Sequence, residues 1–218
     1  PISVSFWTST SSFWNFSPRG TPPSGSDYPD GPIVEKGGVA QRIRTLYPSP
    51  DSTAAQTRKI YTCTGNCLNA SGTALSVYPF NTTTIVPGSV ANITAFGAAD
   101  ATEVSNIINW VRGKDNISDE NIDGSATDIR ASVHGDVLHS RPAVINYNRT
   151  GDDNDVVIFY GANDGLFRAV KGGVAATDGY EKWAVVFKEF FADLRRLRNN
   201  MPAISATSSR EASLLMWR

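Results

Sequence analysis

DVVIFYGANDGLFRAV, residues 155–170, carries the strongest β signal in the chain. A run of β-branched and aromatic residues leads into Asn163-Asp164-Gly165 and then into an alternating apolar and polar run. Such side chains suit a pleated, half-buried surface, and Asp-Gly supplies the positive φ that a two-residue hairpin turn needs. The spacing predicts a hairpin. Downstream, the turn residues TDGY (177–180) precede the apolar string WAVVF (183–187), read as a further strand. Phe187, Phe190, Phe191, Leu194 and Leu197 then recur at helical spacing up to Asn199-Asn200 and Pro202, which predicts a helix over 187–198 capping the β region.

Upstream, VHGDVLHS (133–140) and PAVINY (142–147) read with the same β region. The clearest helix starts at Asp100, where Asp100 and Glu103 fit a capping box and Val104, Ile107, Ile108 and Val111 fall on one face; it ends near Gly113. Residues 114–130 are polar and turn-prone, a connecting loop. RKIYTC (58–63) and ALSVYPF (74–80) read as two short strands, and GGVAQRIRTLY opens a short helix at Gly38 that Pro48 and Pro50 stop. Residues 1–34 mix Phe6, Trp7, Phe13, Trp14 and Phe16 with a Pro- and Gly-rich run. These aromatics either anchor an irregular segment to a core or form a binding platform.

Composition narrows the function classes. Of 218 residues, 19% are charged, a low share that, with plentiful Gly, Pro, Ser and Thr, favours a loop-rich and β-rich chain. A net charge of -1 provides no field to hold a polyanion, so no nucleic acid is expected as principal partner, and Arg195, Arg196 and Arg198 read as a solvated helix face. No apolar run is long enough to span a bilayer, so no transmembrane segment is expected. No signal peptide is visible at the start, as in a mature or excised fragment.

Several strings resemble, in order, the region of PilY/PilC-type type IV pilus tip-associated adhesins and biogenesis factors where a β-rich segment leads into the C-terminal β-propeller. They are VEKGGVAQRIR, IINWVRGKDN, SVHGDVLHSRPAVINY, VVIFYGANDGLFRAVKGG and ATDGYEKWAVVFKEFFADLRRLR, spread over residues 33–200. The pattern YGANDGLFRAV…GYEKWAV also resembles the blade shared with quinoprotein enzymes, in which the tryptophan, here Trp183, fills the wedge between blades. The resemblance implies a mainly β fold with a few helices: a partial β-propeller of quinoprotein-like blades preceded by a loop-rich β segment. Residues 1–99 would form that segment, and 100–218 a helix, the first one or two blades and a capping helix. A blade takes ~40–45 residues, so the propeller is expected to be incomplete here. The implied role is not enzymatic: pilus biogenesis and adhesion at the extracellular pilus tip or the outer membrane surface of a bacterium, with pilus or minor pilin proteins and a host or abiotic surface as partners. The alternatives are a fragment of a quinoprotein-like dehydrogenase and a truncated scaffold component of another assembly.

Individual residues suggest further chemistry. Asp119, Asn121 and Asp123 stand at alternate positions before Gly124, as in the first half of a calcium loop, with Ser125 next in the series. Position twelve is Arg130 rather than glutamate, so Asp128 is the substitute ligand, and a solvated connector is the competing reading. The family's calcium loop lies in later blades and is not carried onto these residues. Calcium is the one cofactor these residues suggest. Cys63 and Cys67, in CTGNC, read as a disulfide closing a tight loop, with free thiols or metal as the other readings. His134 and His139 are five apart, so on one strand they would face opposite ways and share no metal. Asp152 to Asp155 reads as turn chemistry. His139-Ser140 lacks a nucleophile elbow, and no phosphate-binding loop is present, which leaves no catalytic residue to nominate.

Overall fold

The computed structural model describes residues 7, 38–47, 58–63, 78–117, 126–130, 133–151, 154–199 and 201. In chain order these form α1 (Gly38–Leu46), β1 (Ile60–Cys63), β2 (Tyr78–Pro79), α2 (Val90–Phe96), α3 (Ala101–Val111), β3 (Ala143–Asn146), β4 (Val156–Gly161), β5 (Leu166–Lys171), β6 (Glu181–Phe187) and α4 (Phe191–Asn199). The strands make one sheet in the order β2-β1-β6-β5-β4-β3. From β3 to β6 it is an antiparallel meander in which sequence neighbours are also spatial neighbours. Parallel pairing to β6 then brings in β1, and β2 lies antiparallel on β1. Parallel neighbours cannot be joined by a tight turn. The long connection between β1 and β6 contains β2, α2, α3 and the first three strands of the meander.

The described residues are therefore mixed α/β: the expected β sheet and helices are both present, with a larger helical share than a mainly β fold. Among the described residues the sheet stays open, with β2 and β3 as its two edges. Strands from both sides of residue 100 share it. The expected elements α1, β1, α3, β3, the hairpin β4–β5 and β6 appear close to the predicted places. The helix expected over 187–198 opens with one 3-10 turn before α4. Of the strand expected over 74–80, the described part is β2. No strand forms over 133–140, because that stretch bonds to a turn rather than to a neighbouring strand.

Register decides which side chains meet the helices, since alternate residues point to opposite faces. Leu166, Arg168 and Val170 of β5 share a face with Ile158 and Tyr160 of β4, Ala184 and Val186 of β6, and Ile60 and Thr62 of β1. Against the apolar members of this face pack α2, α3 and α4, through Phe96, Val104, Ile107, Ile108, Phe191 and Leu194. Phe96 and Phe191 stack at 4.4 Å between centroids, with Phe80 edge-on to Phe191 at 5.7 Å. Burying each such ring contributes about 1.5–3 kcal/mol. A β-bulge between Ala169 and Val170 sets Val170 opposite Glu181 instead of Lys182. That shift turns a carboxylate, rather than an ammonium, toward the helical side.

On the other face Phe159, Phe167 and Trp183 form a ladder across three strands, with centroids 6.0–6.5 Å apart. Trp183 is half-buried on this face. Trp7 donates its indole N–H to the Gly173 carbonyl at 2.9 Å and lies over Gly179, φ +75°, in the β5–β6 turn.

Candidate recognition edge and its buried ionic support

The hairpin turn is built from Ala162 to Leu166. Gly165 N donates to Ala162 O at 3.1 Å and Ala162 N to Leu166 O at 3.0 Å, with Gly165 at φ +83°. This is a three-residue loop, a tight turn followed by one left-handed residue. It corrects the two-residue turn expected from the sequence: Asp164 keeps a negative φ and Gly165 takes the left-handed position. Asp164 Oδ1 accepts from Leu166 N at 3.2 Å and from Arg168 Nη1 at 2.9 Å, and Oδ2 accepts from Gly135 N at 3.0 Å and from Arg168 Nη2. Asn163 N donates to Asp136 O at 2.8 Å. Segment 134–136 lies so close that a Cβ on Gly135 would sit 2.5 Å from Asp164 N, so no larger residue fits there.

Behind the turn runs a buried chain of charges. Arg168 Nε donates to Glu181 Oε2 at 3.0 Å, and Arg58 grips the same carboxylate with two bonds, Nε to Oε1 at 2.8 Å and Nη2 to Oε2 at 2.9 Å. Two guanidinia and two carboxylates balance, and all four residues are buried. Burial opposes ionisation of Glu181 and Asp164, but the guanidinia of Arg58 and Arg168 override it and hold both carboxyls below the usual range. Arg58 also donates to the Arg112 carbonyl at 3.0 Å and Arg130 to the Trp110 carbonyl at 3.0 Å, so two arginines satisfy the orphan carbonyls at the end of α3. Arg130 lies over the Trp110 ring at 3.9 Å. Every carboxylate oxygen in the quartet accepts at least one hydrogen bond. The quartet is a brace joining β1, β5, β6, the turn and α3, and it offers no poised acid or base.

His134 stands beside it. Its Nδ1 lies 2.7 Å from Gly135 O, which can only accept, so Nδ1 carries the proton and Nε2 accepts from the Tyr160 hydroxyl at 2.9 Å. Burial, then the Arg168 charge, pushes the imidazole down to about 4. The neutral ring is a structural partner.

Two strands away the sheet ends at β3, all four of whose residues are exposed. Val144 is 64% exposed, Ile145 43% and Tyr147 48%, a concentration of apolar surface on an edge strand. Tyr147 N donates to Asp155 O at 3.0 Å. Because ladder bonds alternate along an antiparallel strand, Ile145 and Ala143 turn their backbone groups to β4, and Val144 turns its N–H and C=O to the open edge. At the start of β3 a cavity of about 200 Å³ is lined by His139, Ser140, Arg141, Ala143, Phe159, Tyr160 and Phe167. Ser140 Oγ accepts from Gly161 N at 2.9 Å, which ties this segment to the end of β4.

Among the residues singled out in the sequence, Asp119, Asn121, Asp123 and Ser125 lie outside the described residues. Asp128 stands at the neck of that loop, where its carbonyl accepts from Asp115 N at 2.9 Å and Lys114 bridges to Ile129. Among the described residues no group of three or more His, Cys, Asp or Glu is arranged to hold a metal. Cys63, which ends β1, is disulfide-bonded, and Cys67 lies outside the described residues. His134 and His139 do not share a strand: His134 is packed on Tyr160 and His139 is exposed at the cavity. Arg195 and Arg198 are not merely solvated, since Arg195 pairs with Glu103 at 2.8 Å and Arg198 bonds Asn116 at 3.0 Å. Asp155 is clasped by Arg149, whose hydrogen bonds hold its carboxyl below the usual range. Among the described residues no helix is long and apolar enough to cross a membrane.

The quartet escaped the sequence reading because its members lie as far as 123 positions apart. One signal was present: Arg168 shares the parity of Leu166 and Val170, so a charge sat at an inward position of an apolar strand. Comparison with family models, with curated proteins and with solved structures gave no match.

Proposed function

We propose that this chain is a non-catalytic recognition piece of a bacterial type IV pilus tip-associated adhesin and biogenesis factor, with β3–β6 serving as one blade of a β-propeller. The observation that carries the reading is the meander itself: four antiparallel strands in sequential order, turned at Asn163–Gly165, with Trp183 on a half-buried aromatic face. A propeller is radial repetition of such four-stranded sheets, with the first strand of each toward the axis and one broad face against the next blade. The braced hairpin would then serve as a rigid support for contact loops. Pilus or minor pilin proteins and host or abiotic surfaces are the partners, met outside the cell. Calcium in the 119–130 loop belongs to the same proposal: the pairing at its neck brings the loop ends together, and an ion would stabilise only the closed form.

Antibodies against this chain, applied to intact cells that produce it, should decorate pilus tips or the outer surface. Cells whose gene lacks the segment for 143–187 should lose pili or attachment. Absence of surface label, together with visible quinone absorbance in the purified protein, would replace this reading with an oxidoreductase one. Calorimetric titration of the chain with Ca²⁺ should give binding heat that the substitution Asp123→Ala removes; no heat in the parent chain eliminates the calcium element.

A further inference from the structure

We propose that the open edge of β3 is a peptide-binding site, which takes an extended segment of a partner protein by strand addition and seats a carboxylate of that segment on Arg141. The inference stands on β3 and its flank and does not depend on the pilus reading. In a blade, too, the first strand keeps its outer edge toward the central channel.

Three features converge. Val144 presents an N–H and a C=O at the edge, the pair an added strand engages, and Pro142 at the preceding outward position loses no ladder bond by lacking an N–H. The cavity of about 200 Å³ beside Ala143 has Phe159 and Phe167 as apolar lining, a socket for one apolar side chain of the added strand. Strand-addition sites gain affinity from main-chain bonds and selectivity from such sockets at alternate positions. Arg141 lies at that cavity, exposed, and makes no ion pair among the described residues, whereas Arg149 at the far end of the strand is committed to Asp155.

Charge selects the occupant. Between residues 139 and 149 the charged side chains are Arg141 and Arg149, with no acid. Two copies joined edge to edge would offer Arg141 no free carboxylate, because the acid at the far end of the strand, Asp155, is already held by Arg149. A peptide that ends in, or carries, a carboxylate next to an apolar residue supplies the missing charge. The guanidinium fork is suited to hold it.

The test uses the whole chain and a fluorescein-labelled heptapeptide of alternating threonine and valine, made once with a free C-terminal carboxylate and once amidated. Anisotropy should show the acid binding at least ~10-fold more tightly than the amide, a difference of about 1.4 kcal/mol. Arg141→Gln should abolish that discrimination. Val144→Pro, which removes the outward N–H at an edge position that tolerates proline, should abolish binding of both peptides while the melting temperature holds. Hydrogen exchange should show the Val144 amide protected only when peptide is present. Equal affinity for acid and amide, an unchanged Val144 amide, or protection that rises with protein concentration in the absence of peptide would overturn the proposal, the last in favour of self-association.

Discussion

β5 and β3 belong to one sheet with only β4 between them, yet they are held in opposite ways. LFRAVK is covered by neighbours on both sides and anchored by a buried ion quartet, whereas AVIN is exposed along its whole length. Both sequences are apolar enough for a strand, so composition does not separate them. Their positions in the ladder do. A central strand spends its backbone groups on two neighbours, and an edge strand keeps half of them for a partner. Stability is thus concentrated at β5–β6, and the capacity for recognition at β3.

The largest expected effect breaks the anchored side. Glu181→Leu leaves Arg58 and Arg168 buried without their shared carboxylate and should cost about 3–5 kcal/mol in urea unfolding. Replacing Arg58, Asp164, Arg168 and Glu181 together by apolar residues of similar volume should restore much of that loss, because the cost lies in orphaned charge rather than in the missing bridge. Phe96→Ala, at the stacked ring of the helical core, should cost about 3–5 kcal/mol by transfer and cavity terms. None of these changes should alter edge recognition in protein that remains folded.

Acid sharpens the same contrast. The His134 imidazole is depressed when folded, so the unfolded chain binds its proton more readily. Its contribution is present above the ordinary value of 6.5 and is lost as pH falls from there toward about 4. Part of His134 stays accessible to water, so the expected loss is roughly 1–2 kcal/mol. His134→Gln should flatten that slope in pH-dependent unfolding curves. Smaller again, Asp100→Ala removes the bond to Glu103 N at 2.8 Å and should cost about 1 kcal/mol. Val144→Thr, on the open side, should stay within about 0.5 kcal/mol of the parent.

Local signals made much of this fold legible. The capping box at Asp100 and Glu103, the apolar stripe of α3 and the Asn163–Gly165 turn are written within a few residues each. α2 was harder: VANITAF carries β-branched residues and no charge, and its markers are Ser89 before it and Gly97, φ +58°, after it. The parallel pairing of β1 with β6 is a contact between residues more than a hundred positions apart, which periodicity cannot express. Nor can periodicity express the bulge that turns Glu181 inward. Of the site, the turn could be read in advance, but the brace behind it and the open edge beyond it depend on strand order.

Native-state hydrogen exchange resolved to single amides tests the contrast most directly. The account predicts that in monomeric protein the Val144 amide exchanges near the unprotected rate, while the amides of Arg168 and Val170 exchange only through global unfolding. Protection of Val144 comparable to that of Arg168 in the isolated monomer would mean that the edge is already occupied, and would contradict it.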